Sequence, residues 1–164
     1  KNVNKIIKVF SQFILRFPES ELIILGQGEE QFELESLVES LDIKPKVSFE
    51  GYVSDPSVYL RNSDLFVLFS LWEGLPNVVL DALDHDIDII VSDAPGGSCE
   101  LLANGKFGRI VKNDDEESLL SAMLEARVKP LKVNEREKAK FLKNFEINKI
   151  VDQYEGINCG PNQE

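Results

Sequence analysis

The sequence predicts an α/β fold built on a doubly wound parallel sheet of about five or six strands with helices on both faces. Three observations carry that expectation. Short runs apolar at every residue, such as 22–25 and 65–69, recur along the chain; stripes with apolar residues every three or four positions alternate with them; and glycine or proline punctuates the joins. A strand apolar on both faces needs cover on both faces, and strand–helix alternation supplies it through right-handed crossovers.

Val3, Ile6, Ile7, Phe10, Phe13, Ile14 and Phe17 form one helical stripe that stops before Pro18. The first strand, 22–25, is closed by Gly26-Gln27-Gly28, and Leu34, Leu37, Val38 and Leu41 mark a second helix ending before Pro45. A strand at 47–49 leads to Gly51, Asp55-Pro56 opens a short helix, and 65–69 is the third strand. A helix over 76–84, a strand at 87–91, a Gly96-Gly97 turn with a helix through Leu102, and a strand at 107–111 follow. Asp114, Asp115, Glu116 and Glu117 begin a helix whose core face is Leu119, Leu120, Met123 and Leu124, the acids suiting the positive end of its dipole. A last helical stretch carries Phe141, Leu142, Phe145, Ile150, Val151 and Tyr154, and residues 156–164 read as a polar tail, disordered or loosely docked. Residues 1–155 are therefore expected to form one domain.

Charge and cysteine usage exclude several function classes. Eighteen basic against 29 acidic residues leave a net charge of −11, which repels nucleic acid and anionic lipid surfaces at long range. Cys99 and Cys159 have no metal-ligand spacing, so neither a zinc site nor a disulfide framework is expected, and a reducing cytoplasm fits. With no run near the roughly 20 apolar residues of a membrane span, any membrane contact is expected to be peripheral.

In doubly wound sheets ligands bind beyond the carboxyl ends of the strands. Two loops on that edge stand out, Gly26-Gln27-Gly28 and Glu73-Gly74-Leu75-Pro76. A helix starting near Pro76 turns unpaired N–H groups towards its loop, a setting for phosphate, and Gly74 lets the backbone come close. Asn77, Asp81 and Asp84 share one helix face, with Val78, Val79, Ala82 and Leu83 on the other. Asp81 and Glu73 could each accept hydrogen bonds from a vicinal diol. On spacing alone both could equally serve only the helix dipole, Asp84 reads as a solvated surface group, and a Gly-x-Gly after a strand is often just a turn. His85, the lone histidine, reads as an exposed helix-end residue, with a ligand role as the other possibility.

EGLPNVVLDAL resembles the E-G-hydrophobic-P-x-x-x-x-E-A signature of the retaining nucleotide-sugar glycosyltransferases of family 4, whose fold is called GT-B. LIILGQGEEQFELESLVESL, VSFEGYVSDP, LRNSDLFVLFSLWEG and VSDAPGGSCELLANGKFGRIV follow the order of that family's C-terminal, donor-binding domain, up to about Tyr154. The resemblance implies a Rossmann-like half of a GT-B fold that moves a sugar from a nucleotide diphosphate sugar, UDP-linked by preference, to a saccharide or lipid-linked acceptor with retention. It implies Glu73 on the hydroxyls of the transferred sugar, the backbone around Gly74, Leu75, Pro76 and Asn77 at the sugar or diphosphate, and Asp81 on the ribose. Lys1 matches a lysine that neutralises the departing diphosphate, Gly26 and Gly28 line the donor, and Val53 stands where backbone groups meet the base. No metal or other cofactor is implied. The domain's first strand, with an arginine, and an N-terminal acceptor domain that carries any membrane contact would lie upstream of Lys1; the full protein would work in the cytoplasm or at the inner membrane face.

Three departures accompany the resemblance. Asp81 replaces a glutamate and is shorter by one carbon, about 1.5 Å. Asp84-His85-Asp86-Ile87-Asp88 replaces a Gly-x-Pro-Val corner, and Asp88 falls in a presumed strand, where a buried unpaired charge would be costly. A degenerate, non-catalytic domain of the same fold, serving partner or nucleotide binding, is the alternative reading; a nucleotide-sugar epimerase ranks below it for want of the Glu-Gly-Leu-Pro context.

Overall fold

A computed structural model describes residues 1–85 and 87–145. Contacts divide the chain after Leu131 into a larger unit, Lys1–Leu131, and a smaller one that begins at Lys132. The sequence reading carried one domain to residue 155; the tail it proposed, and Ile150, Val151 and Tyr154, lie outside the described residues.

The larger unit runs α1 (Val3–Phe13), β1 (Leu22–Leu25), α2 (Gln31–Ser40), β2 (Val47–Gly51), α3 (Ser57–Arg61), β3 (Leu65–Leu68), α4 (Asn77–Leu83), β4 (Asp88–Ser92), α5 (Ser98–Leu101), β5 (Arg109–Val111) and α6 (Glu116–Val128). All pairings are parallel, as the alternation of strands and helices requires. The expected single sheet is instead two ladders, β1–β2 and β3–β4–β5. β1 and β3 are not paired with each other, so among the described residues each keeps one edge without a strand neighbour.

Burial follows that division. β4 is covered on both faces: Ile89, Ile90 and Val91 are at most 2% exposed. Ile90 joins the cluster of α1 and α6 residues, while α4 and α5 pack against β4 as well. Strand β1 is covered on one face only, because Leu22 and Ile24 pack on the core whereas Ile23 and Leu25 are 41% and 37% exposed. The wholly apolar run that promised two buried faces therefore delivers one. Helix α1 buries Ile6, Ile7, Val9, Phe10 and Phe13 and packs against both α2 and α6, tying the two ladders into one core. It ends at Phe13, four residues short of the expected stop, and the chain turns through hydrogen bonds from Arg16 and Phe17 to the Phe13 carbonyl.

Local chemistry sets the helix starts. Asp115 is the N-cap of α6, its carboxylate accepting from the Ser118 amide at 3.0 Å, and Glu116 and Glu117 lie in the first turn. Asp55 accepts from the Ser57 amide at 2.9 Å ahead of α3, and hydrogen bonding from Ser57 holds its carboxyl below the ordinary range. In the smaller unit, α7 (Glu135–Leu142) starts from Asn134, whose side chain accepts from the amides of Arg136 and Glu137. The Phe141 and Phe145 rings meet edge to face at 5.2 Å.

Asp88 is the one strand residue whose charge the sequence left unexplained, and the fold pairs it. Arg109 Nη1 lies 3.1 Å from its carboxylate, with both side chains nearly buried, and the Leu131 amide donates to both carboxylate oxygens at 3.0 and 3.2 Å. Arg109 Nη2 donates to the Lys129 carbonyl at 2.7 Å, so the pair also pins the exit of α6. Losing one partner strands the other as a buried charge, at about 3–5 kcal/mol. Asp88→Ala is therefore expected to lower unfolding free energy by about 3 kcal/mol, and Asp88→Ala with Arg109→Met by less than the two single changes combined. Urea denaturation of the three variants measures this.

Candidate functional site

Because β3 and β4 are adjacent and parallel, the loops that leave their carboxyl ends run side by side. Those loops, residues 69–76 and 93–97, are locked backbone to backbone. The Glu73 amide donates to the Pro95 carbonyl at 3.1 Å, and the Gly97 amide donates to the Gly74 carbonyl at 2.7 Å. The contact at Gly96 is closer still, since a Cβ added there would sit 1.8 Å from the Glu73 carbonyl oxygen, and its φ of +129° is one that side-chain-bearing residues rarely adopt.

Side chains finish the frame. Ser92, the last residue of β4, donates its hydroxyl to the Ser70 carbonyl at 2.7 Å, and Asn113, just past β5, donates its side-chain amide to the Leu71 carbonyl at 3.0 Å. Ser70 in turn donates its hydroxyl to Glu73 Oε1 at 2.6 Å. Lys1 Nζ lies 3.6 Å from the same oxygen, with the lysine 61% and the glutamate 15% exposed at their side chains. Lys1 reaches that position because the next turn is anchored. Asn2 Nδ2 and Lys5 Nζ bind the Asp114 carboxylate at 3.0 and 2.7 Å, and Lys5 also reaches the Asp114 carbonyl at 3.1 Å. Hydrogen bonds from Lys5 and Asn2 hold the Asp114 carboxyl below its ordinary value.

Lys1 and Glu73 are thus brought together. Gly74, Leu75 and Asn77 offer backbone amides that take no partner among the described residues. Pro76 is buried and ends the loop in an extended conformation, and α4 starts one residue later than expected. Asp81 is exposed and its carboxylate makes no hydrogen bond or ion pair among the described residues; only its carbonyl is engaged, by His85 Nδ1 at 2.7 Å. A carbonyl can only accept, so Nδ1 carries the proton and His85 caps the end of α4, half-buried rather than exposed. Val78, expected on the buried face, is 37% exposed beside Asn77 and Asp81, while Val79, Ala82 and Leu83 form the core face.

A second group of predicted residues gathers at the carboxyl ends of β1 and β2. The Gly26 amide donates to the Gly51 carbonyl at 2.6 Å, and Gly26 and Gly51 adopt φ of 115° and 67°, so both turns need glycine. Gly28 stands in open space, and Val53 is half-buried behind the 76% exposed Tyr52. No hydrogen bond or ion pair joins this group to Glu73 or Asp81 among the described residues. Burial first, then Asp93 and Glu100, push the Cys99 thiol above its ordinary value. Among the described residues no cluster of three or more His, Cys, Asp or Glu side chains is arranged to hold a metal ion, and no helix is long and apolar enough to cross a membrane.

Residues 1–144 match the family described as Glycosyl transferases group 1. The chain belongs to that family. An uncharacterised glycosyltransferase of Methanocaldococcus jannaschii is 32% identical over 161 residues, which cover 90% of this chain and 38% of the relative. The UDP-Gal:alpha-D-GlcNAc-diphosphoundecaprenol alpha-1,3-galactosyltransferase of Escherichia coli is 31% identical over 145 residues, 85% of this chain and 37% of that enzyme. Among solved structures, TarM of S. aureus in complex with UDP superposes with a TM-score of 0.85 at 16% identity, covering 98% of this chain and 33% of TarM. HepE of Anabaena in complex with UDP gives 0.80 at 21%, covering 96% and 44%. The fold is that of a Rossmann-like domain of GT-B glycosyltransferases, and the chain spans less than half the length of each of these relatives.

Ser70, Ser92 and Asn113 escaped the sequence reading, and Gly96-Gly97 was seen only as a turn. Nothing in a short spacing pattern ties Ser92 to Ser70 or Asn113 to Leu71; only the strand order does. Two outcomes test the frame. Gly96→Ala is expected to destabilise the protein by about 3 kcal/mol, read as a lower urea midpoint, because neither backbone in the contact can yield cheaply. Asp114 has a lowered carboxyl value in the folded state, so its contribution is complete above the ordinary value of 3.8 and fades as pH falls through the lower one. Acid unfolding followed by circular dichroism is expected to fall off less steeply below about pH 4 in Asp114→Asn.

Proposed function

We propose that this chain is the donor-binding half of a retaining glycosyltransferase that takes a sugar from a nucleoside diphosphate sugar. One observation carries the reading: the Glu73 carboxylate is held partly exposed at the carboxyl rim of β3, with a lysine ammonium 3.6 Å away and free amides of Gly74, Leu75 and Asn77 beside it. An acceptor of hydroxyl hydrogen bonds next to a cation and backbone donors suits a molecule that is polyhydroxylated at one end and anionic at the other.

In this reading Glu73 accepts from the transferred sugar's hydroxyls, Lys1 and the Gly74 to Asn77 backbone meet the diphosphate, and Asp81, which is exposed and uncommitted among the described residues, holds the ribose. Gly26, Gly28 and Val53 line the nucleoside end. Transfer of a glycosyl group builds negative charge on the departing diphosphate, and a preplaced cation and amides stabilise that charge as it forms. The sugar–carboxylate contact is worth about 1.5–3 kcal/mol, the range of hydrogen bonds to a charged group. UDP is the favoured carrier because one enzyme relative is named for UDP-Gal and two structural neighbours were solved in complex with UDP. No metal or further cofactor enters the scheme.

Two features bear on the rest of the protein. Among the described residues β1 and β3 each present a free edge, which suits one further parallel strand joining the two ladders, supplied from upstream of Lys1. The relatives are more than twice as long as their match, so the acceptor, a saccharide or lipid-linked sugar, would bind another domain, and that domain would carry any membrane contact. The protein would then act on the cytoplasmic side of the membrane.

Titration calorimetry with UDP and a panel of UDP-sugars tests this reading. Binding of UDP in the micromolar to millimolar range is expected, with Glu73→Ala weakening a UDP-sugar by roughly tenfold or more and UDP itself much less. Absence of any nucleotide binding at millimolar concentration would overturn the proposal. Unchanged UDP-sugar affinity in Glu73→Ala would favour the degenerate, non-catalytic domain instead.

A further inference from the structure

We infer that Ser70 is a positioning residue that sets which carboxylate oxygen Glu73 presents to the sugar. The inference deepens the donor-site reading above and rests on it. Ser70 is 1% exposed, so its hydroxyl cannot be satisfied by bulk water. It is instead spent on Glu73 Oε1 at 2.6 Å, within the range of a charge-assisted O–H···O bond. Lys1 Nζ lies 3.6 Å from the same Oε1. No hydrogen bond reaches Oε2 among the described residues, so the two donors fix one oxygen and leave the other as an acceptor for a diol.

Ser70 itself has little freedom to move. Its carbonyl accepts from the buried hydroxyl of Ser92 at 2.7 Å, and the Glu73 amide is held by the Pro95 carbonyl at 3.1 Å. Both ends of the four-residue segment from Ser70 to Glu73 are therefore tied to the loop and strand end of β4. A glutamate side chain with three rotatable bonds would otherwise sample several rotamers, and ordering it on binding would weaken the complex. The serine removes that cost before the sugar arrives.

The test is a double-mutant cycle read on sugar discrimination, the ratio of UDP-sugar to UDP affinity in the full chain. Ser70→Ala is expected to lower that ratio about five- to tenfold while leaving UDP affinity within about twofold. In a Glu73→Ala background, Ser70→Ala is expected to lower the ratio no further, because its effect passes through the carboxylate. Ser70→Thr, which keeps the hydroxyl, is expected to restore part of the ratio. Equal losses of the ratio in Ser70→Ala with and without Glu73 would overturn the positioning role. An unchanged ratio in Ser70→Ala, with Glu73→Ala still impaired, would overturn it too. Loss of all nucleotide binding in the parent protein would instead overturn the donor-site reading on which it stands.

Discussion

The close approach of two backbones, residues 73–75 against residues 95–97, is the constraint on which the rest of the site depends. Parallel strands β3 and β4 deliver these loops to the same edge, but delivery alone would leave them a side chain's width apart. Glycine at 96 and 97 removes that spacer, and two backbone hydrogen bonds then replace contacts with water. A loop tied in this way presents Glu73 with its main chain already in place. The loop's conformation is settled by its neighbour as much as by its own Gly-Leu-Pro sequence.

Charge is managed by pairing rather than by balance. A chain with net charge −11 places carboxylates at several sensitive positions, and the fold answers each with a specific donor. Asp88, nearly buried at the start of β4, is met by Arg109 and by the Leu131 amide. Asp114 is met by Lys5 and Asn2, and Glu73 by Ser70 and Lys1. Asp81 differs, standing exposed with its carboxylate uncommitted among the described residues. The contrast sets carboxylates committed to donors within the protein apart from one that is not.

Helix α1 gives this arrangement its connection to the core. Its apolar face packs against both α2 and α6, so it bridges ladders that share no strand pairing of their own. The same helix carries Lys1 and the Asn2–Lys5 anchor at its start, so the cation next to Glu73 is positioned by the packing of the whole helix. A single element thereby couples core formation to the electrostatics of the rim.

Much of this was legible in the sequence, because periodicity and punctuation are local. The strand and helix order, the stripe of α1, the acidic start of α6 and the placement of Glu73 and Lys1 at one edge all follow from short-range patterns or from the quoted motifs. What those patterns could not carry was long-range pairing. Asp88 reads as an anomaly until Arg109, 21 positions later, is brought beside it by the register of β4 and β5. The apolar run of β1 reads as doubly buried, yet one face is open because no local pattern reports which strands are neighbours. Ser92 and Asn113 look like ordinary polar residues until strand order brings their donors within 3.0 Å of the loop. Periodicity and punctuation determined the fold class, and the family-like motifs the candidate carboxylates; only tertiary structure decided which donors hold them, since hydrogen bonds act across a few ångströms of space regardless of separation along the chain.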